Sequence, residues 1–86
     1  MPDISRFYGI VIKMYLVDHA PAHFHALYGD HEALFSIETL EMPRGNLPRR
    51  ATPMVLEWAM QHREELRADW ALAQAGNSLL PIPPLD

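Results

Sequence analysis

The sequence has no cysteine, few basic residues and no long apolar run, and each shortage excludes a class of protein. Without cysteine the chain can form no disulfide, no thiolate nucleophile and no cysteine-based zinc site. The longest apolar stretch, residues 10–17, contains Lys13 and falls well short of the roughly 20 residues that cross a bilayer. Because the first residues do not resemble a secretion signal either, we expect a cytoplasmic protein with no membrane partner.

The shortage of basic residues also bears on the choice of partner. The 86 residues include 11 acidic and 7 basic side chains, which give a formal charge of −4. Nucleic-acid affinity depends on clustered lysine and arginine, so a nucleic-acid partner is disfavoured, although Arg44, Arg49 and Arg50 form one positive loop. A chain of this length can bury only one core, and we predict a single domain over residues 1–86.

The N-terminal part of the chain has the composition of β-strands. Residues 6–17 are rich in aromatic and β-branched side chains and predict one strand, in which Gly9 marks either a bulge or a close approach of another backbone. Two shorter runs, residues 23–28 and 31–39, are separated by Gly29-Asp30, which predicts a hairpin with a two-residue loop. The sequence therefore predicts a three-stranded antiparallel meander over residues 1–39.

The pairing in that hairpin follows from the loop length. With two loop residues, Phe24 faces Phe35 and Ala26 faces Ala33 on the apolar side of the sheet. The histidines at positions 23 and 25 then lie on the opposite, polar side.

The C-terminal half changes to a helical period. Residues 40–51 are rich in proline and glycine and predict a loop, after which apolar side chains recur every three or four residues over 52–75. Thr52 is the predicted N-cap, and the pattern leaves open whether the helix breaks near residues 61–63. Residues 77–86 contain three prolines and predict an extended tail. The predicted fold class is α+β, with a β-β-β-α order in which the meander packs on one long C-terminal helix.

Histidines cluster around the start of the predicted hairpin. His23 and His25 are two residues apart on a strand, so both rings project from the same face. Neutral imidazoles are good ligands for divalent zinc, nickel or copper, and His19, Asp18 or Glu32 could supply a third ligand. The alternative is that these histidines are solvated strand residues with no role.

The same two rings could instead serve acid–base catalysis. Histidine titrates near neutral pH, and Tyr15 or Lys13 could orient a substrate beside it. Four arginines could hold a phosphate or the carboxylate of a partner, unless they only solvate the surface: Arg6, Arg44, Arg49 and Arg50.

Several strings in the chain resemble one small bacterial family. ISRFYGIVIKMY at residues 4–15, DHAPAHFHALYG at 18–29 and LEWAMQHREEL at 56–66 match the signature of the family catalogued as domain of unknown function 4160. The sequence departs from it at Ala22, where a proline commonly precedes HFH. Genes of this family commonly lie beside a second small gene, and the resemblance therefore implies a toxin–antitoxin-like pair.

Two functions from different classes remain open. The first is a protein-interaction module that binds a small protein encoded by a neighbouring gene, or a second copy of itself, through an open sheet edge, the helix or the proline-rich tail. The alternative is a metal-dependent or acid–base enzyme, acting on RNA for example, with His23 and His25 at its centre.

Overall fold

A computed structural model describes residues 3–86 and gives that range five β-strands followed by two α-helices. The strands are β1 (Asp3–Phe7), β2 (Ile10–Lys13), β3 (His23–Tyr28), β4 (His31–Ser36) and β5 (Arg44–Gly45); the helices are α1 (Ala51–Gln61) and α2 (Arg63–Gln74). Neighbouring strands are antiparallel in the order β1-β2-β3-β4-β5. The class is α+β, but the predicted three-stranded meander with one helix is wrong. Residues 1 and 2 of the predicted domain lie outside the described range.

The predicted first strand is in fact a hairpin and a loop. Tyr8 and Gly9 have φ values of 51° and 82°, and Phe7 pairs with Ile10 across them. Positive φ at both central residues gives a two-residue turn whose twist matches that of the flanking strands. Gly9 is therefore a turn residue and not a bulge, and the chain reverses where one continuous strand was predicted. The second strand of the hairpin ends at Lys13, short of the predicted residue 17.

The second hairpin is confirmed in its register. Phe24 pairs with Phe35 and Ala26 with Ala33, and all four side chains are buried. Strand β4 ends at Ser36, three residues before the predicted end, because the backbone turns there: the amide of Leu40 donates to the carbonyl of Ser36.

The fifth strand lies inside the predicted loop 40–51. Gly45 has φ 75° and pairs with Ala33, so β5 adds to the free side of β4. A Cβ at Gly45 would lie 3.0 Å from the Cα of Ala33 and would collide with the carbonyl oxygen of Glu32. Only glycine permits this approach, and the short strand therefore depends on that residue.

The predicted helix over residues 52–75 is divided at His62. The φ and ψ of His62 are −122° and 25°, outside the helical region, and the carbonyl of Ile37 accepts a 3.1 Å hydrogen bond from Nε of Arg63. An unbroken helix of that length would extend about 36 Å, more than the longest dimension of the molecule, 34 Å. The break lets both halves bury apolar side chains, among them Trp58 and Leu66. Helix α1 begins at Ala51 without a side-chain cap, so the predicted Thr52 cap is also wrong.

The core lies between the helices and one face of the sheet. The Trp58 ring centroid is 5.5 Å from that of Phe7 and 5.8 Å from that of Phe24, which in turn stacks on Phe35. These aromatic contacts join β1, β3 and β4 to α1. The opposite face of the sheet carries His23 and His25.

The proline-rich tail, residues 77–86, forms neither a strand nor a helix. Four hydrogen bonds among the described residues hold it to the body: the amide of Asn77 donates to the carbonyl of Leu72, the amide of Ile82 donates to the carbonyl of Ile4, the indole of Trp58 donates to the carbonyl of Pro83, and the amide of Leu80 donates to Asp69. Neither helix in the described range is long and apolar enough to span a bilayer.

Candidate functional site

A cleft lies where the loop between β2 and β3 crosses the polar side of the sheet. It has a volume of about 450 Å³. The lining residues that matter below come from that loop and from β3, β4 and β5: Asp18, His19, His23, His25, Leu34 and Arg44.

The loop is held in place by helix α2. Val17 has φ 52°, a left-handed conformation that is costly for a β-branched residue, and its amide donates a 3.0 Å hydrogen bond to the carbonyl of Ala73. The next residue is Asp18, whose carboxylate accepts a 2.8 Å hydrogen bond from the amide of His19. These contacts fix the position from which the Asp18 carboxylate enters the cleft.

The two imidazoles lie side by side on β3. His23 and His25 project to the same side of the sheet with ring centroids 5.3 Å apart, while Phe24 between them points into the core. His23 is 7 % exposed because the Trp70 ring packs 5.1 Å from it. The ring of Tyr15 meets His25 edge-on at 4.5 Å. Both imidazoles are thus held by neighbouring rings at the wall of the cleft.

Hydrogen bonds determine which ring nitrogens carry hydrogen. Nδ1 of His23 lies 2.7 Å from the carbonyl oxygen of Pro21, and Nδ1 of His25 lies 3.1 Å from Oε2 of Glu32. A carbonyl and an ionised carboxylate only accept hydrogen bonds, so each Nδ1 must donate. In the neutral form of each ring, Nε2 then carries a free lone pair, and Nε2 of His23 can donate to Asp18 only when that ring carries a second hydrogen.

Both Nε2 atoms point toward one carboxylate. Oδ2 of Asp18 is 2.9 Å from Nε2 of His23 and 3.7 Å from Nε2 of His25. Within residues 3–86, the buried Nε2 of His25 has no hydrogen-bond partner. One ligand atom from each of the three residues lies within 4.8 Å of the other two. A proton on His23 would satisfy only its contact with Asp18, whereas a metal cation would satisfy all three groups.

The charge state of Asp18 suits a cation. Burial acts to raise the pKa of Asp18, but hydrogen bonds from the amide of His19 and the imidazole of His23 outweigh it and hold the pKa below its ordinary value. The carboxylate is therefore ionised at neutral pH and available as a ligand.

One comparison with known proteins identifies a family. The family model described as Domain of unknown function (DUF4160) matches residues 9–71, a stretch that contains the whole cluster. The chain belongs to this family. Searches of curated proteins and of solved structures find no match. Because the description of DUF4160 names no reaction, function has to be inferred from the site itself.

The predicted metal ligands divide into three groups within this DUF4160 chain. His23 and His25 lie in the cluster, and Asp18 is the residue that completes it. Glu32 contacts Nδ1 of His25, on the far side of the ring from the cluster, and contributes no ligand atom to the cluster itself. His19 lines the cleft but contributes no ligand atom to the cluster.

The other predicted site residues are less central. Tyr15 contacts the ring of His25, but Nζ of Lys13 is bound to Oδ1 of Asp3 at 2.7 Å and lies outside the cleft. Arg6 pairs with the other oxygen of the same carboxylate. The exposed Arg49 and Arg50 precede α1 and do not line the cleft.

Two contributors to the site have no clear signal in the sequence. The carbonyl of Pro21 acts through the backbone, so the identity of its side chain gives no indication of that role. Trp70 has the helical spacing of a core residue, but it is half-buried against His23. Its orientation depends on the helix break at His62, which the spacing alone did not settle.

Proposed function

We propose that this protein is a metal-dependent hydrolytic enzyme whose divalent transition-metal ion is bound by Asp18, His23 and His25. The observation that carries the proposal is the buried Nε2 of His25, which has no partner among residues 3–86 and faces the carboxylate oxygen that His23 also contacts. A buried polar atom without a partner costs free energy, and a bound cation would remove that cost.

The spacing of the ligand atoms supports zinc or a similar ion. Tetrahedral zinc with bonds of about 2.0–2.1 Å to nitrogen and oxygen places its ligand atoms about 3.3 Å apart. The two distances from Oδ2 of Asp18, 2.9 Å to His23 and 3.7 Å to His25, fall on either side of that value. Small side-chain rotations would therefore suffice to complete the geometry.

The groups behind the imidazoles support the same assignment. Histidines that bind metals almost always donate their other ring N–H to a carboxylate or a backbone carbonyl. Glu32 is such a carboxylate for His25, and Pro21 supplies such a carbonyl for His23. Both rings are thus fixed in the tautomer that presents Nε2 to the ion.

Three protein ligands leave a fourth position for water, the pattern of catalytic zinc sites. The three residues that would hold the ion line the cleft of about 450 Å³, which is large enough for a small substrate. A metal ion lowers the pKa of its bound water to about 7 and makes it a nucleophile at neutral pH. In hydrolysis the water oxygen bonds to the electrophilic atom of the substrate, the bond to the leaving group breaks, and the proton of the water ends on the leaving group.

The test combines metal analysis with hydrolysis. Protein purified without a polyhistidine tag, exposed to zinc and desalted should contain one zinc per chain and should cleave p-nitrophenyl esters. A chelator should abolish cleavage, and added zinc should restore it. Asp18→Asn and His25→Ala should lose zinc while keeping the circular dichroism of the wild type.

His31→Ala is the matched control, because His31 is an exposed histidine on the neighbouring strand, outside the cluster. It should retain one zinc per chain. Failure of the wild type to bind zinc, nickel or copper would overturn the proposal, as would equal binding by Asp18→Asn, His25→Ala and the wild type.

The interaction-module hypothesis, with a neighbouring-gene partner or a second copy of the chain, stays a prediction, as does the cytoplasmic location. The two functions can be separated in one variant. Replacing both His23 and His25 by alanine should abolish hydrolysis under the metal hypothesis, yet it should leave partner binding intact under the other.

A further inference from the structure

One row of paired residues crosses the polar side of the sheet through His25. The backbone register places one residue of each strand in this row: Asp3, Lys13, His25, Leu34 and Arg44. Residues paired directly across strands project to the same face. The row therefore carries one cationic residue on each side of His25.

The two cations differ in their partners. Lys13 is neutralised by Asp3, whose carboxylate lies 2.7 Å from its ammonium group. Within residues 3–86, the ion pairs of arginine involve only Arg6 and Arg67, so Arg44 forms none there. Arg44 is exposed and lines both the main cleft and an adjoining cavity of about 270 Å³, and His25 lines both as well.

Gly45 accounts for the position of this arginine. It lets β5 approach the backbone of Glu32 and Ala33 more closely than any side chain would allow, and this fixes Arg44 opposite Leu34. The backbone of Arg44 then lies two strands away from the backbone of His25, a distance of about 10 Å at ordinary strand spacing. A long arginine side chain can span that distance above the smaller Leu34.

We infer that Arg44 binds the phosphoryl group of the substrate and that the enzyme hydrolyses a small phosphoester. This inference rests on the proposed metal-dependent function. The guanidinium group presents two parallel N–H donors that match two oxygens of a phosphate, and a metal ion held by Asp18, His23 and His25 would attract the remaining negative charge.

The charge balance at the site favours an anion. A divalent metal ion would cancel the carboxylates of Asp18 and Glu32, and Arg44 would then leave one surplus positive charge. A neutral ester would gain nothing from that charge, whereas a phosphoester would neutralise it. In the reaction the oxygen of water bonds to phosphorus, the phosphorus–oxygen bond of the ester breaks, and the proton of the water passes to the leaving oxygen.

Binding of inorganic phosphate to the zinc-loaded protein tests the inference by calorimetry. Arg44→Ala should weaken phosphate binding roughly tenfold to hundredfold, the effect of losing hydrogen bonds to a charged group, while zinc stays at one per chain. Arg44→Lys should restore part of the affinity, because it keeps the charge without the paired donors. Arg49→Ala is the matched control, since that exposed arginine lies outside the cleft, and it should bind phosphate like the wild type.

Two further results would overturn the inference alone. One is equal phosphate affinity in Arg44→Ala and in the wild type at full zinc occupancy. The other is acetate binding as tightly as phosphate, which would point to a carboxylate substrate. Absence of zinc from the wild type would overturn the metal centre and this inference together, and zinc analysis of the same samples separates the cases.

Discussion

Asp69 offers a test of how the tail is attached to the helices. It is 1 % exposed on α2, where Oδ1 accepts the amide of Leu80 at 2.9 Å and the buried Oδ2 has no partner within residues 3–86. Burial and, to a smaller extent, the negative charge of Glu65 raise the pKa of Asp69, while the hydrogen bond from the Leu80 amide acts to lower it. Asp69→Asn keeps the acceptor for Leu80 and removes the buried charge.

The sign of the pH effect follows from the raised pKa. A carboxyl group with a higher pKa in the folded state binds its proton more tightly there, so stability falls as the pH rises above the unfolded pKa and the loss is complete once the pH exceeds the folded pKa. Below the unfolded value of about 4 the group is protonated in both states and the penalty is absent. We expect Asp69→Asn to increase the free energy of unfolding at pH 7 by about 1 kcal/mol, a typical size for a single substitution, because it removes a buried charge.

Urea unfolding at pH 7 and near pH 4 measures this effect. The advantage of Asp69→Asn should be complete at pH 7 and should shrink toward zero as the pH falls to 4. Glu57→Gln is the control, because Glu57 is exposed on α1 and its substitution should change stability little at either pH. A stability difference independent of pH, or a less stable Asp69→Asn at pH 7, would refute the reasoning.

Two further substitutions test the contacts around the site and the tail. Glu32→Gln should weaken zinc binding about 10- to 100-fold, because it removes the charged acceptor from Nδ1 of His25; competition with a chromogenic chelator measures this, and unchanged affinity would remove Glu32 from the site. Trp58→Phe should lower the free energy of unfolding by about 1–3 kcal/mol, because it loses the hydrogen bond to Pro83 and leaves a cavity. Urea unfolding measures the loss, and Trp70→Phe, at a half-buried position, should cost less.

The second hairpin could be predicted because its sequence contains both necessary signals. Polar and apolar residues alternate through residues 23–26, and the loop has two residues, so the register of Phe24 against Phe35 follows. The first hairpin has no recognisable loop signal in its sequence. Tyr8 is not a residue that favours positive φ, and Gly9 alone fits a bulge as well as a turn.

The helix break and the fifth strand depend on tertiary contacts. Residues 61–63 contain no proline or glycine that would signal a break. The break accompanies a hydrogen bond from Arg63 to the carbonyl of Ile37, and an unbroken helix would be longer than the molecule. Strand β5 forms because Gly45 fits against the backbone of Glu32. Ile37 is far from Arg63 in the sequence and Glu32 is far from Gly45, so local sequence patterns could not reveal the helix break or the fifth strand.

The candidate site shows the same division between local and distant information. The shared face of His23 and His25 follows from the two-residue period of a strand, which any extended segment would impose. Asp18 joins them only because the amide of Val17 is held by the carbonyl of Ala73 near the end of α2. That one hydrogen bond ties the loop that carries Asp18 to the second helix. The position of the third ligand is thus set by the packed fold, and a metal ion bound by all three groups would favour the folded chain over the unfolded one.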